Sequence, residues 1–92
     1  MNSSGRRPVH PGEILREEFL GPLGISESAF ARSLGESLKA VTEIVMHQRS
    51  VSADLAGKLS RCLNTTPEFW LNLQSTYDLR KAEIERGCAL AT

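Results

Sequence analysis

The sequence predicts an all-α fold of five helices, and three observations carry this prediction. Apolar residues recur at intervals of three and four, the period of a helix with one buried face. The alternation of apolar and polar residues that marks a half-buried strand is absent. Capping residues and glycines divide the 92 residues into short helical blocks. A chain of this length forms one domain, and we expect residues 1–9 to be a flexible arm and residues 10–92 to be the domain.

The first predicted helix begins at Pro11, where a missing N–H is tolerated because the first turn leaves that group without an intrahelical partner. The acidic Glu13 suits the positive end of the helix dipole. Gly21 and Pro22 are helix-breaking residues, so we expect the helix to end there. The predicted buried stripe consists of Ile14, Leu15 and Phe19.

The second and third predicted helices are short and follow each other closely. Ser26 is a natural cap for the second helix, and Gly35 ends it because glycine accepts the left-handed conformation. Ser37 caps the third helix, which we expect to end near residues 46–47. The predicted stripes are Phe30, Ala31 and Leu34 in the second helix, and Val41, Ile44 and Val45 in the third, with Leu38 extending the third.

The fourth predicted helix has the most regular pattern in the chain. Ser52 caps its start, and Asn64 suits the left-handed position that follows its end. Because Cys62 falls on the apolar stripe, we expect its side chain to point toward the core. The stripe consists of Leu55, Ala56, Leu59, Cys62 and Leu63.

The fifth predicted helix, over about residues 66–86, is the longest. Two starts suit it equally: Thr65 and Glu68 form a capping box, and Thr66 caps a helix whose first residue is Pro67. This helix carries more apolar surface than one small domain needs, which favours a contact between two copies of the chain. Its apolar residues are Phe69, Trp70, Leu71, Leu73, Tyr77 and Ile84.

Charge and cysteine content exclude several classes of function. Eleven basic and eleven acidic residues give a formal charge of zero, so the chain does not coat nucleic acid by charge alone. No apolar run approaches the roughly 18–20 residues that span a bilayer, and we expect a cytoplasmic protein. The two cysteines and two histidines are too dispersed for a zinc site or a catalytic cluster. We therefore expect no enzymatic activity, no metal and no cofactor.

Residues 26–47 meet the physical requirements of a helix-turn-helix, in which two short helices are joined by a three- or four-residue turn. Ala31 is small where the helices approach each other, and Gly35 lies in the turn. Val41 is apolar where the second of the two helices packs back against the first. The joint spacing of these three residues favours a helix-turn-helix over an unspecialised helical hairpin.

Five stretches of the chain resemble a single family. HPGEILREEFL, PLGIS, ARSLG, SADLAGKLSR and TTPEFWLNLQSTYDLRKAE are similar to segments of the HigA-type antitoxins. These form the virulence-associated protein I group within the Xre/Cro-like (lambda-repressor-like) helix-turn-helix family, and the resemblance runs from about His10 to Glu83. It implies a homodimer that binds a palindromic operator in its own promoter. It also implies that the protein neutralises a HigB-type toxin, a small RelE-like ribonuclease that cleaves messenger RNA.

The resemblance further implies which residues bind DNA. The third helix would lie in the major groove with its N-terminal residues against the base edges. Lys39 would reach guanine acceptors or phosphate, and Ala40 would pack on a thymine methyl group. The predicted base contacts are Ser37, Lys39, Ala40 and Thr42, and the predicted phosphate contacts are Ser26, Ser28, Gln48, Arg49 and Ser50.

The sequence leaves two questions open. Glu36 and Glu43 would oppose phosphate, so the alternative function is a protein-interaction module that binds the toxin with weak or lost DNA recognition. Residues 26–61 hold five basic and four acidic side chains, so DNA binding would depend on dimer geometry and a few placed contacts. The predicted dimer contacts are Trp70, Leu73 and Tyr77, with burial in the core as an equal alternative for Trp70.

Overall fold

The computed structural model of the protein describes residues 8–86 and contains five helices with no strand in that range, as the sequence predicts. Helix α1 is continuous but has three segments, an α-helical start (Pro11–Ile14), a π-helical stretch (Leu15–Leu20) and a final α-helical turn (Gly21–Leu23). Residues 1–7 of the predicted arm and Cys88 lie outside the described residues. The other helices are α2 (Glu27–Leu34), α3 (Leu38–Val45), α4 (Ala53–Leu63) and α5 (Pro67–Glu85).

Side-chain caps fix the starts of α2 to α5. In each case a hydroxyl oxygen accepts a hydrogen bond from the backbone N–H three residues later, which satisfies a donor that the helix leaves without a partner. The caps at the starts of α2, α3 and α4 confirm the prediction, and Thr66 rather than Thr65 caps α5. The cap-to-donor pairs are Ser26 with Ala29, Ser37 with Ala40, Ser52 with Leu55, and Thr66 with Phe69, at 3.1–3.2 Å.

The prediction that α1 ends at Gly21 and Pro22 is wrong, because the helix continues to Leu23 and ends at Gly24 with φ of 64°. The π-helical stretch explains the difference. A proline inside a regular α-helix clashes with the carbonyl four residues earlier. In the wider π turn the N–H of Gly21 bonds to the Arg16 carbonyl five residues back, and this local widening accommodates Pro22.

The hydrophobic core lies between the five helices, and its largest fully buried side chain is Trp70. The prediction that Cys62 points to this core is wrong, because its side chain is exposed and its sulfur lies 3.5 Å from the Ser33 carbonyl oxygen. Ser60 takes the buried position near the end of α4. A polar residue fits there because its hydroxyl donates to the Gly57 carbonyl at 2.8 Å.

Candidate nucleic-acid interface

The turn between α2 and α3 is short and fixed at both ends. Gly35 adopts a left-handed φ of 78°, and its N–H bonds to the carbonyls of the last turn of α2. Two residues later the Ser37 hydroxyl caps α3. The buried faces of the two helices pack together, and Val41 and Ile44 have almost no exposed surface. Residues 27–45 therefore form the predicted helix-turn-helix.

The structure corrects the assignment of two residues at the start of α3. The sequence predicts that Ala40 faces outward and that Leu38 extends the buried stripe, but Ala40 is buried and Leu38 is 51% exposed. The buried residues Ala40, Val41, Ile44 and Val45 occupy the spacing i, i+1, i+4 and i+5. At about 100° per residue, Leu38 lies at the edge of the buried face, roughly 90° from its centre, and Lys39 lies roughly opposite that face. The prediction that Ala40 presents its methyl group to DNA is therefore wrong.

The remaining predicted DNA contacts lie at the surface. The Thr42 hydroxyl donates to the Glu27 carboxylate at 3.0 Å, so the start of α2 lies against the outward face of α3. Lys39 is exposed, and within residues 8–86 it makes no ion pair. The predicted contacts that are exposed are Ser26, Ser28, Ser37, Lys39, Thr42, Gln48, Arg49 and Ser50.

Glu36 and Glu43, the two carboxylates that the sequence predicts to repel DNA phosphate, are both paired with cations. Glu43 accepts hydrogen bonds from the Arg49 guanidinium, the shorter at 2.8 Å, across the end of α3. Glu36 contacts the Lys58 ammonium at 2.5 Å, and this hydrogen bond raises the pKa of Lys58. Each carboxylate is therefore compensated within the protein, which reduces its repulsion of a phosphate nearby. Ion pairs that are open to solvent contribute little net stabilisation, so phosphate can compete for either cation.

His10, to which the sequence pattern assigns no function, anchors the loop after α3. Its ring is almost fully buried, and Nδ1 accepts a hydrogen bond from the Gly12 N–H at 2.9 Å, which caps α1. The ring stacks on His47 with centroids 4.9 Å apart, and it meets the edge of Tyr77 at 4.8 Å. One side chain thus ties α1, α5 and the candidate phosphate-binding loop together.

His10 predicts a pH dependence of stability. Burial, and then the neighbouring His47 ring, lowers the pKa of His10 below its ordinary value of 6.5, and Lys81 acts in the same direction. The Arg49 backbone and Asp78 oppose the shift. Because the folded state disfavours the imidazolium, the stability from neutral His10 is present above the unfolded-state pKa and is lost as the pH falls below it.

Urea unfolding of the wild type and of His10→Asn at about pH 7.5 and about pH 5 measures this contribution. Asparagine retains a cap for α1 but does not titrate. We expect the free energy of unfolding to fall further in the wild type than in the variant as the pH is lowered. An equal fall in both proteins would assign the acid sensitivity to other groups.

Helix α5 corrects one of the three predicted dimer contacts, Trp70, and leaves Leu73 and Tyr77 as predictions. Trp70 cannot contact a second chain, because its surface is entirely covered within one chain. Its indole N–H donates to the Thr65 hydroxyl at 2.8 Å, and its ring contacts Phe19 and Phe69. Leu73 and Tyr77 are partly buried. The exposed apolar side chains of α5 are Phe69, Leu79 and Ile84.

The fold and this surface define a protein of the helix-turn-helix class. No protein-family model matches the chain. The chain is 46% identical over 78 residues to virulence-associated protein I of Dichelobacter nodosus, covering 85% of this chain and 72% of that protein. It is 42% identical over 79 residues to antitoxin HigA-1 of Vibrio cholerae serotype O1, covering 86% and 74%. The chain belongs to the HigA antitoxin family, as its sequence motifs indicate.

A solved structure of the Pseudomonas aeruginosa antitoxin HigA with the higBA promoter has the same fold. Its TM-score is 0.85 at 49% sequence identity, and the match covers 91% of each chain. The likeness to HigA therefore extends from the sequence to the arrangement of the helices. In the part of the chain that the structure describes, no helix is long and apolar enough to cross a membrane.

Proposed function

We propose that the chain is the antitoxin of a type II toxin–antitoxin pair, a homodimeric autorepressor that binds a palindromic operator in its own promoter. The observation that carries the proposal is the start of α3, where a capped and exposed first turn presents Lys39 beside Leu38. A related HigA was solved with its promoter, and this chain shares its fold over nearly the whole length. Such a protein acts in the cytoplasm, where its operator is.

The surface residues support one docking arrangement. The first turn of α3 enters the major groove, and Lys39 donates to guanine acceptors or to a phosphate. Hydroxyls and backbone N–H groups at the start of α2 bind one phosphate, as helix N-termini commonly do. The loop at residues 48–50 binds phosphates on the other side of α3. Arg49 exchanges its Glu43 partner for phosphate, and the His10 anchor holds the loop in position.

Dimerisation and toxin binding complete the proposal. Leu79 is 65% exposed and Ile84 47% exposed on the carboxyl half of α5, which leaves apolar surface for a second copy. Two half-sites read by one dimer offset the weak binding expected from a subunit with few cations. Membership of the HigA antitoxin family supports neutralisation of a HigB/RelE-like toxin that cleaves messenger RNA.

The second candidate function is an interaction module that binds the toxin without specific recognition of DNA. Glu36 and Glu43 beside α3 favour it, and their ion pairs with Lys58 and Arg49 weaken the argument. Mobility shifts on the upstream region of the gene at low and moderate salt separate the two functions. A specific shift supports the repressor, and no specific shift even at low salt would leave only the interaction module.

Replacing Lys39 by alanine is expected to weaken operator binding by about 1–3 kcal/mol, or roughly 5- to 150-fold, if the ammonium contacts a base. Fluorescence anisotropy with the upstream duplex measures the dissociation constant. The matched control is Arg61→Ala, which removes one positive charge from the last turn of α4. The candidate phosphate-binding loop at residues 48–50 precedes the start of α4, so Arg61 lies at the other end of that helix. Equal affinities of Lys39→Ala and Arg61→Ala would remove Lys39 from the DNA interface.

A further inference from the structure

Leu38 is an exposed apolar side chain in the first turn of α3, the part of the protein that enters the major groove in the proposed docking. It is the first residue of α3, and Ser37 directly before it caps the helix. Its side chain is 51% exposed at the edge of the buried face of α3. A single exposed leucine is common on protein surfaces, so its meaning depends on its place and neighbours.

The neighbouring outward groups of α3 are largely committed to partners. Thr42 donates to Glu27, and Glu43 is held by the Arg49 guanidinium. Lys39 is the other long side chain in the exposed first turn, and among residues 8–86 it makes no ion pair. The first turn therefore offers one cation and one branched apolar group for contact with bases.

We propose that Leu38 is a specificity-determining residue that contacts the 5-methyl group of a thymine in the major groove. The inference rests on the proposed function, because it needs the first turn of α3 in that groove. Among the four bases only thymine presents an apolar group there. Beside adenine, guanine or cytosine, the leucine would displace water from a base donor or acceptor without replacing its hydrogen bond, which disfavours those bases.

Removing the methyl group from the DNA tests the contact without changing base pairing. The probe is a duplex selected from a random library by the wild-type protein, in which each thymine of one half-site is replaced in turn by uracil. We expect one replacement to raise the dissociation constant of the wild type by about fourfold, the effect of losing one buried methyl contact. For Leu38→Ala we expect the same replacement to change the dissociation constant by a factor near one.

Met46→Ala is the matched control, since Met46 is a similarly exposed apolar residue directly after the carboxyl end of the same helix. It should keep the wild-type ratio of uracil to thymine dissociation constants. Thermal unfolding checks that Leu38→Ala is folded, as its exposure predicts. The proposal is overturned if the wild type responds to no uracil, or if Leu38→Ala keeps the full ratio. With either of these results the wild type still binds its selected duplex specifically, so the proposed function stands. If the wild type selects no sequence from the random library, the proposed function is overturned as well.

Discussion

Replacing Gly12 by alanine is expected to unfold the protein or to lower its free energy of unfolding by more than about 3 kcal/mol. A Cβ atom at this position would lie 1.8 Å from the carbonyl oxygen of Ile44 and 2.7 Å from its carbonyl carbon. Both atoms belong to the backbone of α3, so no side-chain rotation can relieve the clash. The first turn of α1 would have to move away from α3, and the cap that His10 provides would move with it.

Gly57→Ala is the matched control for this substitution. Gly57 also lies within a helix, but the nearest atom to an added Cβ is the end of the Arg61 side chain at 3.9 Å. Alanine has the higher helix propensity, so we expect this variant to gain about 0.5–1 kcal/mol. Urea unfolding followed by circular dichroism measures both. Gly12→Ala with wild-type stability would show that α1 does not approach α3 at Gly12.

Replacing Trp70 by alanine is expected to lower the free energy of unfolding by roughly 3–5 kcal/mol. The indole is fully buried, and its ring contacts Phe19 from α1 and Phe69 from α5. Its removal leaves a cavity where these helices meet. It also deprives the Thr65 hydroxyl of the indole donor at 2.8 Å.

Trp70→Phe separates the two contributions, because phenylalanine keeps a ring in the core and loses the hydrogen bond to Thr65. We expect it to lose clearly less stability than Trp70→Ala in the same urea titration. If both variants unfolded at the wild-type midpoint, the indole would not be part of the core. Sedimentation at matched concentrations tests the proposed dimer, which the Trp70 variants should weaken only through loss of folding.

Local chemistry makes the starts and ends of the helices predictable. Ser26, Ser37 and Ser52 cap the helices they precede, since a cap depends only on a side chain and the backbone three residues later. Gly35 and Asn64 adopt the left-handed conformation expected of them for the same reason. The end of α1 is not predictable in this way, because the π-helical stretch that accommodates Pro22 has no comparable sequence signal.

The direction of individual side chains is less predictable. An eight-residue helix such as α3 has about two turns, and alanine suits either face, so the pattern does not separate Ala40 from Leu38. The apolar stripe of α5 predicts that Trp70 is buried. It does not show whether the same chain or a second chain covers the side chain. Cys62 lies at the edge of the face that α4 buries, about 90° from its centre at 100° per residue, whereas Leu63, one residue later, still packs against the core.

The role of His10 needs the three-dimensional structure. Its partners His47 and Tyr77 are distant in sequence, and no periodic pattern connects the three rings. Its position directly before Pro11 and Gly12 is the available local signal, because a side chain there can cap the helix. The sequence thus locates the candidate interface but does not reveal the support that holds its loop.

In the repressor proposed above, the ion pairs beside α3 affect the search for an operator. Arg49 and Lys58 are two of the five basic residues in residues 26–61, and each has a carboxylate within the same subunit. Each carboxylate acts as a counterion within the protein, and a DNA phosphate must displace it in order to contact Arg49 or Lys58. Random sequences offer only phosphate in exchange, so the protein dissociates from them readily and continues its search. An operator adds base contacts to the exchange, which lengthens the residence time there without raising the affinity for the rest of the genome.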